Sequence, residues 1–251
     1  MERKEAFDVT GITRLHVRLC RASAAVLCSN VEQFEVEITG PEGDKQVDAT
    51  IIKAENGLLS IMQPGTSSLM AKRSDMRVRV FIPTSWKGEI NASTLSGTLE
   101  AMGLRGTDVT LSTASGALDA ASVEAIAFKA ETSSGAVHLS GAVCEHLQLN
   151  TLSVDIQAEG CDFRTAAVRT ASGCCSLQAV GPFDSVGAST ASGDIVLDIP
   201  FGAVDASFHT ASGRIRTGGV ALVQDAPEVR MNTLSGNLVI NNYSAQENEH
   251  I

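Results

Sequence analysis

The sequence predicts an all-β fold, a single-stranded parallel β-helix (β-solenoid) with three short strands per coil, and three observations predict it. A four-residue phrase returns at a fixed period: Thr94-Leu95-Ser96-Gly97, Thr113-Ala114-Ser115-Gly116, Thr132-Ser133-Ser134-Gly135 and Thr151-Leu152-Ser153-Val154. It continues as Thr170-Ala171-Ser172-Gly173, Thr190-Ala191-Ser192-Gly193, Thr210-Ala211-Ser212-Gly213 and Thr233-Leu234-Ser235-Gly236, with steps of 19, 19, 19, 19, 20, 20 and 23 residues between threonines. A period in this range marks units too small to bury an apolar face alone, which stack to make a shared core. The second observation is alternation of apolar and polar residues on both sides of the phrase, and the third is a composition that suits a narrow interior. Aromatic residues make up only 4% of the chain, so the interior must be filled by short side chains.

Each element follows from its phase. Before the Thr come pairs such as Val109/Leu111, Leu147/Leu149 and Val229/Met231, and after it Leu118/Ala120, Val137/Leu139, Ile156/Ala158, Cys175/Leu177 and Ile195/Leu197. Alternation of period two means a strand with one dry face. A third segment is expected to start at Leu104, Val123, Ala142, Cys161, Val180, Pro200 and Val220. The Thr shares the phase of the inward residues, and its hydroxyl can bond along the stack or to the corner backbone. Ser and Gly then form the corner, with Gly supplying dihedrals that other residues resist. Val154 departs from that pattern.

Three regions are expected: irregular β-rich N-terminal coils or a cap over 1–85, regular repeats over 86–240, and a polar tail over 241–251. In the first, strands are predicted at 14–19, 25–27, 34–38, 47–52, 58–62 and 77–82, with Gly40-Pro41-Glu42-Gly43-Asp44 as a turn. Trp86 is expected to plug the first coil. An end that lacks cover is an unpaired edge open to another molecule. At the far end the tail either folds back through Tyr243 or leaves room for a second subunit.

The six cysteines read as reduced: Cys20 and Cys28 could meet across a hairpin, though nothing in the sequence requires it, and the phases of the other four argue against a bridge. Cys175 falls in the inward column between Ile156 and Ile195, Cys174 points outward, and Cys144 is two residues out of phase with Cys161, beyond disulfide reach. No residue is assigned as catalytic, cofactor-binding or metal-binding, and no cofactor is expected. Asp119 and His138 fall in phase on an outward face, and Lys129 lies beside Glu131, but outward columns of a stacked sheet carry such polar residues as ordinary solvated surface. Asp155, Asp194 and Asp198 are dispersed, and corners of constant length build no cleft. The net charge of −10 argues against nucleic acid or an anionic membrane as partner. The opening Met1-Glu2-Arg3-Lys4-Glu5 leads into no apolar stretch of signal-peptide type, so a cytoplasmic protein without direct membrane insertion is expected.

Arg77-Val78-Arg79-Val80-Phe81-Ile82-Pro83, followed by Ile90-Asn91-Ala92-Ser93-Thr94-Leu95-Ser96-Gly97 and the serial T-x-S-G phrases, resembles the bacterial DUF4097 domain, the adhesin-type family of β-strand repeats. The likeness runs from about residue 12 to 240. It implies a β-helical bacterial protein and carries over no catalytic residue. The leading functional expectation is a non-enzymatic scaffold or protein-interaction module, pairing with another protein or with itself through the ends or faces of the repeat. The alternatives are a carbohydrate-binding or carbohydrate-active β-helix and a surface adhesin.

Overall fold

A computed structural model describes residues 1–64 and 75–246. The chain divides into two compact units, Met1–Ile126 and Ala127–Ile251. The first holds β1 (Glu2–Phe7), β2 (Arg14–Leu19), β3 (Ser23–Ser29), β4 (Phe34–Thr39), helix α1 (Lys45–Ala49), β5 (Ile51–Glu55), β6 (Leu58–Met62), β7 (Arg77–Pro83), β8 (Gly88–Thr94), β9 (Leu99–Met102), β10 (Gly106–Thr113) and β11 (Leu118–Ala121). Strand β12 (Glu124–Thr132) crosses the boundary. The second unit continues with β13 (Val137–Ser140), β14 (Val143–Thr151), β15 (Ile156–Arg169), β16 (Cys175–Ala179), β17 (Ser185–Ser192), β18 (Ile195–Ile199), β19 (Ala203–Ser212), β20 (Ile215–Gly218), β21 (Ala221–Leu222), β22 (Glu228–Ser235), β23 (Leu238–Asn242) and helix α2 (Tyr243–Gln246).

These strands correct the predicted β-solenoid of three-stranded coils. The fold is all-β, but its strands join in one 23-stranded sheet and not in the stacked three-stranded coils expected. Three features separate it from the expected single-stranded parallel β-helix. Each regular repeat contributes two strands, one before the Thr phrase and one after it, as in β8 with β9 and β10 with β11. The predicted third segment pairs only briefly among the described residues, as β21 with β19 and as a single bridge between Arg105 and Glu124. Leu104, Val123, Ala142 and Cys161 are buried where predicted, but they occupy bends leading into the next strand, or in β15 a register shift between Ala158 and Cys161. That strand runs 14 residues without a break, pairing through its first half with β13 and through its second with β14. At Val180 the phase slips by one: Ala179 goes inside, paired with Cys161, and Val180 is exposed.

The second feature is antiparallel pairing in the first unit. Strand β4 runs antiparallel between β1 and β7, and β5 runs antiparallel to β6. The third is strand order. In the first unit β2 pairs with both β6 and β8, and β3 with both β7 and β9, so the β6–β7 pair lies on the far side of β2–β3 from the strands that follow it in sequence. In the second unit β22 pairs with β17 on one side and β19 on the other, and β23 likewise lies between β18 and β20. The last repeat in sequence therefore sits between the two before it.

Where repeats do follow one another, equivalent residues align as the period requires. Leu118 faces Leu99, Val137 faces Ile156, Ile156 faces Cys175 and Cys175 faces Ile195, all buried. Within the predicted 47–52 strand, residues 47–49 lie instead in α1, while Ile51 and Ile52 open β5. Asp44 caps α1 by accepting from the Gln46 amide at 3.0 Å, and Val47 is fully buried; capping of the free amides and burial of one apolar face override the β-branched pattern. Trp86 is buried, stands edge-on to Phe34 at 5.1 Å, and donates its indole N–H to the Ile12 carbonyl at 2.7 Å.

Candidate functional site

The corner phrase places the groups of the repeat. Seven of its threonines, at 94, 113, 132, 151, 170, 190 and 233, are buried. Thr94 donates to the Ala22 carbonyl at 2.9 Å, Thr113 to that of Gly97 at 3.3 Å and Thr233 to that of Gly193 at 3.2 Å. The hydroxyls are thus satisfied by the corner backbone of the adjoining strand pair rather than by one another. Thr151 is different: its Oγ1 is buried without a hydrogen-bond partner, and it belongs to the phrase in which Val154 replaces Gly. Gly is needed at the other corners chiefly because backbones approach closely. A Cβ on Gly116 would lie 1.8 Å from the Gly97 carbonyl oxygen, and one on Gly236 2.0 Å from that of Gly193.

The polar positions singled out by sequence are ordinary surface. Lys129 Nζ meets Glu131 Oε1 at 2.9 Å, and Asn150 donates to the same oxygen at 3.0 Å. Asp119 on β11 and His138 on β13 are both exposed. The three aspartates do not converge; each accepts from a neighbouring strand. Asp155 takes the Cys174 amide at 2.7 Å, Asp198 takes the Asn241 side chain at 2.8 Å, and Asp194 takes the Asn237 amide at 2.7 Å with the Asn237 side chain across both oxygens at 3.2 Å. All six cysteines are free. Burial pushes the thiols of Cys144 and Cys175 up to about 12 and that of Cys161 up to about 11, so they stay protonated and poorly nucleophilic at neutral pH. Among the described residues no three His, Cys, Asp or Glu side chains are grouped to hold a metal, and no helix is long and apolar enough to cross a membrane.

The arrangement with chemical potential lies in the second unit, around β20. A cleft of about 420 Å³ is lined by Asp194, Arg214, Arg216, Asn237 and Val239. Its two guanidinium groups are exposed, whereas the Asp194 carboxylate is taken up by Asn237. Beside them Ile215 continues the column of Ile195 and Leu238, which are each 1% exposed, yet is itself 47% exposed because it belongs to the outermost strand of its ladder. Leu222 and Val223 nearby in sequence are also exposed. Sequence reasoning missed this place because it assumed that repeats stack in chain order, which would have put β20 inside. A signal was present: Thr217 stands where other repeats carry Ala, Leu or Ile, and Arg214 and Arg216 flank Ile215.

The chain resembles solved bacterial structures across nearly its whole length. A "putative adhesin" of Bacteroides fragilis NCTC 9343 matches with a TM-score of 0.59 at 13% identity, covering 96% of this chain and 97% of that one. A "putative lipid binding protein" of Parabacteroides distasonis ATCC 8503 matches with a TM-score of 0.57 at 15% identity, covering 94% of this chain and 96% of that one. At these identities the likeness is one of fold. Comparison with curated proteins finds no match. The cytoplasmic placement expected from the opening residues is corrected by these relatives, whose names speak of adhesion and lipid binding. The family profile described as Toastrack DUF4097 matches residues 10–216, and the chain belongs to that family.

Proposed function

We propose that this protein is an adhesin-type, non-enzymatic interaction module that works outside the cytoplasm and binds a protein partner through strand edges and flat polar faces. The observation that carries this reading is the outermost strand of the second unit, β20, where an inward-phase isoleucine is left 47% exposed beside two exposed arginines. An unpaired strand edge bearing apolar side chains is a template for another chain, and proteins that have no use for one blunt or cover it. Names of fold relatives supply a second support, since adhesion is an interaction function.

The test has two arms. Intact cells are treated with a membrane-impermeant amine reagent, and the protein is expected to be labelled while a cytoplasmic marker stays unlabelled. A photo-reactive residue placed at Thr217 is then expected to join the protein to a partner at the surface of those cells. Absence of labelling, or crosslinks equally frequent from Thr217 and from Asp119 on an ordinary face, rejects the reading.

A further inference from the structure

We infer that β20 is the docking edge for an acidic extended segment of a partner protein, which adds beside Arg214–Gly218 as a parallel strand. The inference rests on the interaction reading above and names the chemistry of the partner. Strand β20 pairs with β23 along one edge, and among the described residues no register assigns a strand to the other. Arg214 donates its amide to Asn237 Oδ1 at 3.1 Å and accepts from the Leu238 amide at 2.9 Å, so its backbone groups are spent on the β23 side. Groups alternate along a strand in a ladder, which sends the N–H and C=O of Ile215 and Thr217 off the open edge. They are the hydrogen-bonding groups that strand addition uses.

The side chains say what kind of strand fits. Residues of alternate phase in an added strand would cover Ile215, whose column is otherwise dry, while the residues between them would face Arg214 and Arg216. Neither arginine takes part in an ion pair among the described residues, unlike Arg230, Arg164 and Lys129, which each have a carboxylate partner. This edge is therefore locally basic on a chain of net charge −10. Alternating acidic and apolar residues satisfy both requirements. A second copy of the chain fits poorly, because a two-fold pairing of β20 with itself would set arginines against arginines, and like charges directly opposite in a sheet are destabilising.

The experiment uses the full chain and three short fluorescein-labelled peptides that alternate Val with Glu, with Gln or with Lys. Fluorescence anisotropy is read at about 20 mM and about 500 mM salt. The Glu–Val peptide is expected to bind at least about tenfold more tightly than the others at low salt and to weaken at high salt. The double substitution R214E/R216E is expected to invert the preference toward Lys–Val, with an unchanged thermal melt showing that the fold persists. Equal binding of all three peptides, binding by none, or Glu–Val binding that survives the reversal overturns the inference; so does light scattering that finds a dimer dispersed by R214E/R216E. If the acidic peptide fails while Thr217 still crosslinks to a cell-surface partner, the interaction reading stands and only the acidic strand falls.

Discussion

At Gly116 the corner has no room for a methyl group, since the Gly97 carbonyl oxygen lies 1.8 Å from where a Cβ would be. Gly116→Ala must push two backbones apart, and a loss of about 2–3 kcal/mol is expected by chemical denaturation. Hydroxyls at the same corner divide into two kinds. Thr94 spends its proton on Ala22, so Thr94→Val removes a hydrogen bond and leaves a buried carbonyl short of a partner, at a cost of about 1 kcal/mol. Thr151 has nothing to lose: Thr151→Val replaces a buried orphan hydroxyl with a methyl and is expected to be neutral or stabilising by about 1 kcal/mol. Equal losses in the two variants would show that Thr151 is satisfied after all. The cysteines differ by place in the same way. Cys174 is exposed while its neighbour Cys175 is buried with its thiol held up near 12, so iodoacetamide at neutral pH should alkylate Cys174 and spare Cys175 until the protein unfolds; mass spectrometry of the labelled chain reads the result.

Strands and helices obey phase where a repeat is regular and depart from it where local chemistry intervenes. Leu139 and Lys129 illustrate the regular case, one buried at 2% exposure and the other on the surface paired with Glu131. Leu139→Asp puts an unpaired carboxylate in the core and should cost about 4 kcal/mol or more, whereas Lys129→Asp should cost about 0.5 kcal/mol. Denaturation midpoints of the two variants make the comparison. The helix α1 is an exception visible in the letters, since Asp44 stands where a cap is wanted, but the alternating 47–52 stretch masked it. The one-residue slip at Ala179 and Val180 had no such mark. It follows from the register shift inside β15, a property of two strands together.

Across the whole molecule the decisive feature is the order of strand pairs, which follows chain order in the regular repeats and breaks it in each unit. In the second unit Asn237 accounts for part of the choice, because its amide and side chain give Asp194 the donors it needs, while Arg214 meets Asn237 instead. Strands β22 and β23 also bring Val229, Met231, Leu238 and Ile240, all buried, to the inner place, and leave the outer one to Ile215 and Thr217, both exposed. An inner strand pair with better apolar residues hides more surface from water. Hydrogen exchange should register the difference: amides of Ile215 and Thr217 are expected to exchange at least about a hundredfold faster than those of Ile195 and Leu197. Similar protection in β20 and β18 would mean that something covers the outer edge.

The repeat, its two flanking alternations and the buried threonines are legible in the letters because equivalent residues must meet whenever adjacent repeats pair, and that demand acts on each repeat separately. The family follows from the same letters, through the T-x-S-G phrase and the strand before Pro83. Which repeats are neighbours, how many strands each contributes and which edge is left bare were decided only in three dimensions. Those outcomes depend on competition between whole strand pairs for the same place, and a Thr phrase reads alike whether its neighbour in the sheet is the next in sequence or the one after.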